Sequence, residues 1–167
     1  MEILWSPWRS QYIDTFKEEK NSQKAGCFIC EAINAVELEK ERLVVARFEF
    51  CIVMLNKFPY NNGHILIAPK KHTGDMDKLP DEEAFEILQT TRKATKILTK
   101  VFNPNGFNIG MNLGRVAGAG LPDHLHVHIV PRWNGDSNFM PVIADVKVVS
   151  QSLEQTQEIL ANEFNTF

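Results

Sequence analysis

His124-Leu125-His126-Val127-His128-Ile129-Val130-Pro131 alternates imidazole and aliphatic side chains through its first six positions, and that alternation governs how the rest of the chain is read. Side chains on a strand point to opposite faces in turn. His124, His126 and His128 are therefore predicted on one face, with Leu125, Val127 and Ile129 on the other as the core side. Same-face neighbours on a strand lie roughly 6–7 Å apart, so three of the chain's five histidines line one surface. Two chemistries fit such a row. One is metal ligation, since catalytic zinc often takes three histidines. The other is direct imidazole chemistry: a neutral imidazole attacks phosphorus near neutral pH, and a neighbouring histidine stabilises phosphate oxygens or serves the leaving group. The spacing alone fits both.

The residues on either side predict an α+β fold with about five strands in a mostly antiparallel sheet and a long helix packed on it. Leu43–Phe48 and Phe50–Leu55 are rich in β-branched and aromatic residues. Pro59-Tyr60-Asn61-Asn62-Gly63 is turn chemistry, and a third strand, His64–Ala68, stops at Pro69. Pro80-Asp81-Glu82-Glu83 opens the longest helix, with Asp81 as N-cap and acidic residues at the positive end of the helix dipole. Phe85, Leu88, Leu98, Val101 and Phe102 fall at helical spacing as its apolar face, and Asn103-Pro104-Asn105-Gly106 ends it. Phe107–Asn112 reads as a fourth strand. Gly114, Gly118 and Gly120 follow with Arg115 among them, a loop whose backbone N–H groups suit phosphate oxygens and whose glycines equally suit plain turns. The histidine strand runs from Leu125 to about Val130, stopped by Pro131. Ser152–Phe164 is expected as a final helix, with Ser152 and Gln155 in capping-box register.

With 167 residues, 44% of them hydrophobic, the chain is long enough for one cored domain. We read 1–25 as an N-terminal arm whose Trp5 and Trp8 pack on the domain, 26–140 as the domain, and 141–167 as an extension carrying the last helix. A formal net charge of -3 offers no general attraction to nucleic acid or anionic membranes. The N-terminal residues lack the pattern of a secretory signal, and apolar runs such as Cys51–Leu55 are too short to span a bilayer. Three cysteines are too few and too odd in number for a disulfide framework, which points to a reducing, cytoplasmic compartment. Cys27-Phe28-Ile29-Cys30 has the gap that lets two thiolates reach one ion, and also reads as two reduced structural thiols.

Taken together, Gly63-His64-Ile65-Leu66-Ile67-Ala68-Pro69, the asparagine-bearing strand with its glycine loop, His124-x-His126-x-His128 and Pro131-Arg132 resemble the histidine triad (HIT) superfamily of nucleotide hydrolases and transferases. Leu4–Arg9 and the tail from Trp133 through Asn138 and Phe139 are similar to the longer bacterial members that act like diadenosine tetraphosphate phosphorylases. The resemblance implies a HIT-like fold, a homodimer paired edge to edge, and cleavage of dinucleoside polyphosphates, with hydrolase, phosphoramidase and low-turnover nucleotide-binding versions as alternatives. It implies His126 as nucleophile, His128 near the leaving group, and His124 and His64 in support. It also implies that Asn56 contacts the ribose, that Asn112, Gly118 and Gly120 contact phosphate, and that Trp133 belongs to the substrate site. Several similar bacterial members hold structural zinc, here matched by Cys27, Cys30, His72 and His124; no organic cofactor is implied. Many members carry a hydroxyl residue shortly before the triad, where this chain has Ala119-Gly120-Leu121-Pro122-Asp123. Asp123 is a candidate orienter of the triad.

Overall fold

Short runs of β-branched and aliphatic residues pair into one sheet. The computed structural model describes residues 26–137 and 151–166; the arm at 1–25 with Trp5 and Trp8, and the stretch 138–150 with Asn138 and Phe139, lie outside the described residues. The strands are β1 (Val44–Arg47), β2 (Cys51–Leu55), β3 (Ile65–Pro69), β4 (Gly106–Gly110) and β5 (Val127–Arg132). Their order across the sheet is β1-β2-β3-β5-β4, and every neighbouring pair is antiparallel. The helices are α1 (Phe28–Asn34), α2 (Asp81–Phe102) and α3 (Leu153–Thr166). Among the described residues no helix is long and apolar enough to cross a membrane.

Alternation along the strands sorts the side chains into two layers. Val45, Val53, Leu55, Ile65, Ile67, Val127 and Ile129 face Ala94, Ile97 and Leu98 of α2 and Leu160 and Phe164 of α3. Val44, Ile52, Met54, Leu66 and Ala68 face the other way, onto Ile29 and Ala32 of α1. The seven-residue α1 covers that face at β1–β3. His128, opposite Leu66 on β3 and Gly110 on β4, stands on the same face beyond it. The histidine surface is thus the part of the sheet that no described helix covers.

The histidine strand differs from its expected limits. It begins at Val127, so His124 and His126 precede its ladder, and it runs through Pro131 to Arg132. Both prolines within strands are tolerated for one reason. In an antiparallel strand a residue's N–H and C=O point to the same side, so a proline fits where that side lies past a neighbour's end. Pro131 sits beyond the Ile65–Ile129 pair that ends the β3–β5 ladder, and its carbonyl accepts from Asn61 Nδ2 at 3.0 Å. Pro69 sits beyond the Ile67–Val127 pair at the other end, and its carbonyl takes the His124 ring at 2.8 Å. With the ladder ended, both proline carbonyls are free, and polar side chains of the site take both.

Two helix expectations also change. The N-cap of α2 is Pro80, in an extended conformation with no side-chain cap, and Asp81 is the first helical residue; the acidic turn still lies at the positive end. Phe85 and Leu88 are each 58% exposed, whereas Thr90, Ala94, Ile97 and Leu98 are buried with Ile87 and Val101 beside them. At 3.6 residues per turn Phe85 and Leu88 stand over Arg92 and Thr95 on the opposite, outward side. The α3 cap forms as expected, with Gln155 N–H donating to Ser152 Oγ at 3.2 Å. The buried Gln157 then fastens the helix to the sheet by donating to the Val44 carbonyl at 2.6 Å.

The β2–β3 turn delivers His64 to the site. Gly63 there has φ +69, and a Cβ on it would lie 2.9 Å from the Phe102 ring, so backbone and space both require glycine.

Candidate active site

The three histidines fall into two clusters. His126 and His128 stay together, with ring centroids 4.9 Å apart, and His64 from the start of β3 joins them, 5.2 Å from His128. His124 turns the other way, toward Cys27, Cys30 and His72.

Hydrogen bonds set the tautomers of the first cluster. The backbone carbonyl of His124 accepts from His126 Nδ1 at 2.8 Å, which places the ring proton on Nδ1 and leaves Nε2 with its lone pair. The Tyr60 N–H donates to His64 Nδ1 at 3.0 Å, so that nitrogen is an acceptor and the His64 proton is on Nε2. From there it donates to His128 Nδ1, 3.0 Å away, which puts the proton of neutral His128 on its own Nε2. Among the described residues that buried Nε2 has no hydrogen-bond partner. The cluster therefore offers a bare nitrogen on His126 beside an uncommitted N–H on His128. Asn56, at the end of β2, is locked to this arrangement. Its Oδ1 accepts from Phe58 N–H at 2.9 Å, and its Nδ2 lies 3.4 Å from His64 Nδ1.

Burial favours the neutral form of His126 and His128. It lowers His126 below the ordinary imidazole value, against the bond to the His124 carbonyl, which acts in the opposite direction. For His128, burial and the neighbouring His126 together bring the value down to about 4.

In the second cluster the ligand atoms of Cys27, Cys30, His72 and His124 all lie within 4.8 Å of one another. His124 Nδ1 is 3.2 Å from Cys27 Sγ, 3.5 Å from Cys30 Sγ and 3.2 Å from His72 Nδ1, and Cys30 Sγ is 3.2 Å from His72 Nδ1. Zinc–sulfur bonds near 2.3 Å and zinc–nitrogen bonds near 2.0–2.1 Å give a tetrahedron with edges of roughly 3.3–3.8 Å, so this donor set fits a four-coordinate metal. The tautomer fits as well. His124 Nε2 donates to the Pro69 carbonyl, which leaves Nδ1 free of a proton for ligation, the usual outer support of a metal-bound histidine. These residues could hold a metal ion.

A cavity of about 410 Å³ opens beside the first cluster, and His128, Asn112, Asn108 and Tyr60 are among its lining residues. Tyr60 stacks near both rings, 4.7 Å from His64 and 6.0 Å from His128. At its far end Arg132 grips Asp136 through two bonds, 2.6 and 2.8 Å, and Asn61 Nδ2 reaches the same carboxylate at 2.7 Å. The Arg132 guanidinium holds the Asp136 carboxyl well below the usual carboxylate range.

Other expected residues divide. Asn112 and Gly118 come together, Nδ2 to carbonyl at 3.5 Å, and Gly118 takes a left-handed conformation with φ 90. Gly120 is half-buried in the same loop. Trp133 is half-buried, with its N–H on Asp136 Oδ2 at 3.1 Å, and is not among the residues lining the cavity. Asp123 is exposed and beside His72, so it does not orient His126; a backbone carbonyl does. Sequence reasoning missed Tyr60 and the Arg132–Asp136–Asn61 network. The Pro131-Arg132-x-x-x-Asp136 spacing was the available signal for the network.

Residues 37–135 match the HIT domain family. The chain is 39% identical over 166 residues, 98% of its length and 85% of the relative's, to a Mycobacterium tuberculosis protein named AP-4-A phosphorylase. It is 31% identical over 108 residues, 65% of this chain and 75% of the other, to a Schizosaccharomyces pombe adenosine 5'-monophosphoramidase. Among solved structures, a hypothetical histidine triad nucleotide-binding protein of Sulfolobus tokodaii superposes with a TM-score of 0.67 at 28% identity, covering 84% of this chain and 93% of that one.

The depressed histidines carry a stability consequence. Below the ordinary value of 6.5, unfolded chains take up a proton that folded His128 refuses until about pH 4. The unfolded state then binds more protons, so stability is lost as pH falls through that interval. Urea-unfolding midpoints are expected to drop from pH 6.5 toward pH 4, and to drop less steeply in His128→Asn. Parallel curves for the two proteins contradict the assignment.

Proposed function

Because the chain belongs to the HIT domain family of histidine triad proteins, we propose that it cleaves dinucleoside polyphosphates through a nucleotidyl group carried on Nε2 of His126. The observation that carries this reading is the bond from His126 Nδ1 to the His124 carbonyl, which leaves the attacking nitrogen bare in a neutral ring. Nε2 attacks the α-phosphorus of diadenosine tetraphosphate; the bond from that phosphorus to the bridging oxygen breaks, and ATP departs. An oxygen of inorganic phosphate then attacks the same phosphorus, the nitrogen–phosphorus bond breaks, and ADP forms. The relative that matches nearly the whole chain supports phosphate rather than water as acceptor.

His128 serves the departing oxygen. Among the described residues its buried Nε2–H has no partner, and this chain lacks the hydroxyl that many family members place before the triad. A group held down to about 4 donates a hydrogen bond from its neutral form. That suits a polyphosphate oxygen, which leaves as a weak base, better than the strongly basic amine of a phosphoramidate. His64 positions His128 by fixing its tautomer, and His124 positions His126 through its carbonyl. Asn56 meets the ribose of the transferred nucleotide, Asn112 with Gly118 and Gly120 the phosphate oxygens, and Trp133 the outer part of the substrate site. Cys27, Cys30, His72 and His124 would hold zinc, and as four protein ligands they would give it a structural role. We place the protein in the cytoplasm as a homodimer, joined through β4, an edge strand whose Ile109 is 49% exposed. The domain is taken as 26–140, with flanking arm and extension.

Two measurements test this. Diadenosine tetraphosphate incubated with phosphate is expected to give ATP and ADP, and acid-labile label from radioactive substrate to stay on the protein and vanish in His126→Ala. AMP production indifferent to phosphate contradicts phosphorolysis, and label persisting in the variant contradicts the nucleophile. Purified protein is expected to contain about one equivalent of zinc. Less than about a tenth of an equivalent overturns the metal assignment.

A further inference from the structure

Cys27 and Cys30 stand beside the residue that aims His126. They flank the first turn of α1, where the Cys30 N–H donates to Cys27 Sγ at 3.4 Å and turns that sulfur toward its neighbour. Ile29 and Ala32, both fully buried, seat the helix on the sheet and hold the pair in place. We propose that Cys27 and Cys30 form a reversible oxidation site, a dithiol that a peroxide closes to a disulfide, and that closure withdraws two ligands from the cluster and slackens the hold on His126. The inference rests on the reading of the cluster as a metal site and of His126 as the nucleophile.

Geometry is the first argument. The two sulfurs lie within 4.8 Å of each other, and a disulfide brings them to about 2.05 Å. Rotation about the two Cα–Cβ bonds covers that difference with the helix in place. The steps balance. One sulfur attacks a peroxide oxygen, the O–O bond breaks, and a sulfenic acid and water form. The second sulfur attacks the first, the S–S bond forms, and the S–O bond breaks to release a second water. The sulfurs together lose two electrons, which the peroxide takes up. The two protons come from the thiols, or from solvent where the sulfurs are metal-bound thiolates.

Access is the second. Cys27 and Cys30 are half-buried and His72 is exposed, so the cluster has a solvent side. A cavity of about 480 Å³ opens there, with His72, Thr73, Gly74 and Asp123 in its wall, room enough for a small oxidant. Cys51 supplies the contrast. It is fully buried with the layer that faces α2, its Sγ lies 3.5 Å from Thr90 Oγ1, and burial pushes its thiol up to about 12. Reactivity follows thiolate character and exposure, and Cys51 has neither.

Coupling is the third. His124 Nδ1 is 3.2 Å from Cys27 Sγ and 3.5 Å from Cys30 Sγ, and the thiolate is the form of cysteine that ligates. A disulfide therefore leaves His72 and His124 as a two-ligand remnant. The backbone around His72 is pressed against the backbone that leads into the triad. Leu125 N–H donates to the Thr73 carbonyl at 2.7 Å, and a Cβ on Gly74 would strike the Pro122 carbonyl. Rearrangement of the cluster thus reaches the His124 carbonyl to which His126 Nδ1 is bonded.

The test treats the full chain, purified reduced, with one equivalent of hydrogen peroxide. Peptide mapping is expected to find Cys27 bridged to Cys30 and Cys51 still a thiol, and a chromogenic chelator to detect released zinc. The kcat for phosphorolysis of diadenosine tetraphosphate is expected to fall about tenfold with a smaller change in KM, the low end of what loss of support around a metal ligand costs. Dithiothreitol followed by zinc restores it. Nitrogen-15 spectra of the oxidised protein are expected to show His126 no longer confined to one tautomer. Both thiols free after peroxide, a bridge that leaves zinc bound, or a bridge with kcat unchanged overturns the proposal. Reduced protein without zinc contradicts the metal assignment, and the bridge, kcat and the His126 spectrum then decide the switch. Reduced protein that leaves the dinucleotide intact contradicts the enzymatic reading instead, and the bridge, zinc release and the spectrum decide.

Discussion

The bond between the His124 carbonyl and His126 Nδ1 is the constraint on which the site depends. Imidazole has two nitrogens of similar basicity, and a buried ring without a directing partner populates either tautomer. Here a main-chain acceptor makes the choice, and the residue supplying it is itself held three ways. His124 is buried, its Nε2 donates to Pro69, and its Nδ1 faces two thiols and a third ring. Each commitment of His124 fixes the backbone that aims His126. In the proposed account a metal on the Cys27, Cys30 and His72 side thus steadies the reacting nitrogen without touching it.

A second chain of bonds converges on the same place from the β2–β3 turn. It begins at the Tyr60 N–H, passes through His64, and ends at the Nε2 of His128, which has no partner among the described residues. The two prolines belong to this logic too. By standing where the β3–β5 ladder has run out, Pro69 and Pro131 leave carbonyls that anchor His124 and Asn61. The ends of one short ladder therefore carry the Cys27–Cys30–His72–His124 cluster and the Arg132–Asp136 network, with His126 and His128 between them. Burial keeps those rings neutral, the form in which one can accept a phosphoryl bond and the other can donate to an oxygen.

Much of this was legible in the amino-acid sequence. Runs of β-branched and aromatic residues marked the strands, a mostly antiparallel sheet of about five strands was the expectation, and the histidine row stood out against aliphatic partners on the core side. The illegible parts have physical causes. The alternation at 124–128 marks a face and says nothing of where the ladder starts, so His124 reads as equivalent to His126 although it turns to a different cluster. Phe85 and Leu88 are apolar and helically spaced, yet the buried stripe of α2 runs through Thr90, Ala94 and Ile97, because small residues let the helix approach the sheet. Tyr60 and Asn61 look like ordinary turn residues, and it is tertiary folding that brings them to His128 and Asp136.

Nitrogen-15 NMR of the histidine rings at neutral pH tests the central claim most directly, because it reads protonation at each ring nitrogen. The account predicts a neutral His126 with the proton on Nδ1 and a bare Nε2. A His126 ring protonated on Nε2, or carrying both protons at neutral pH, contradicts it.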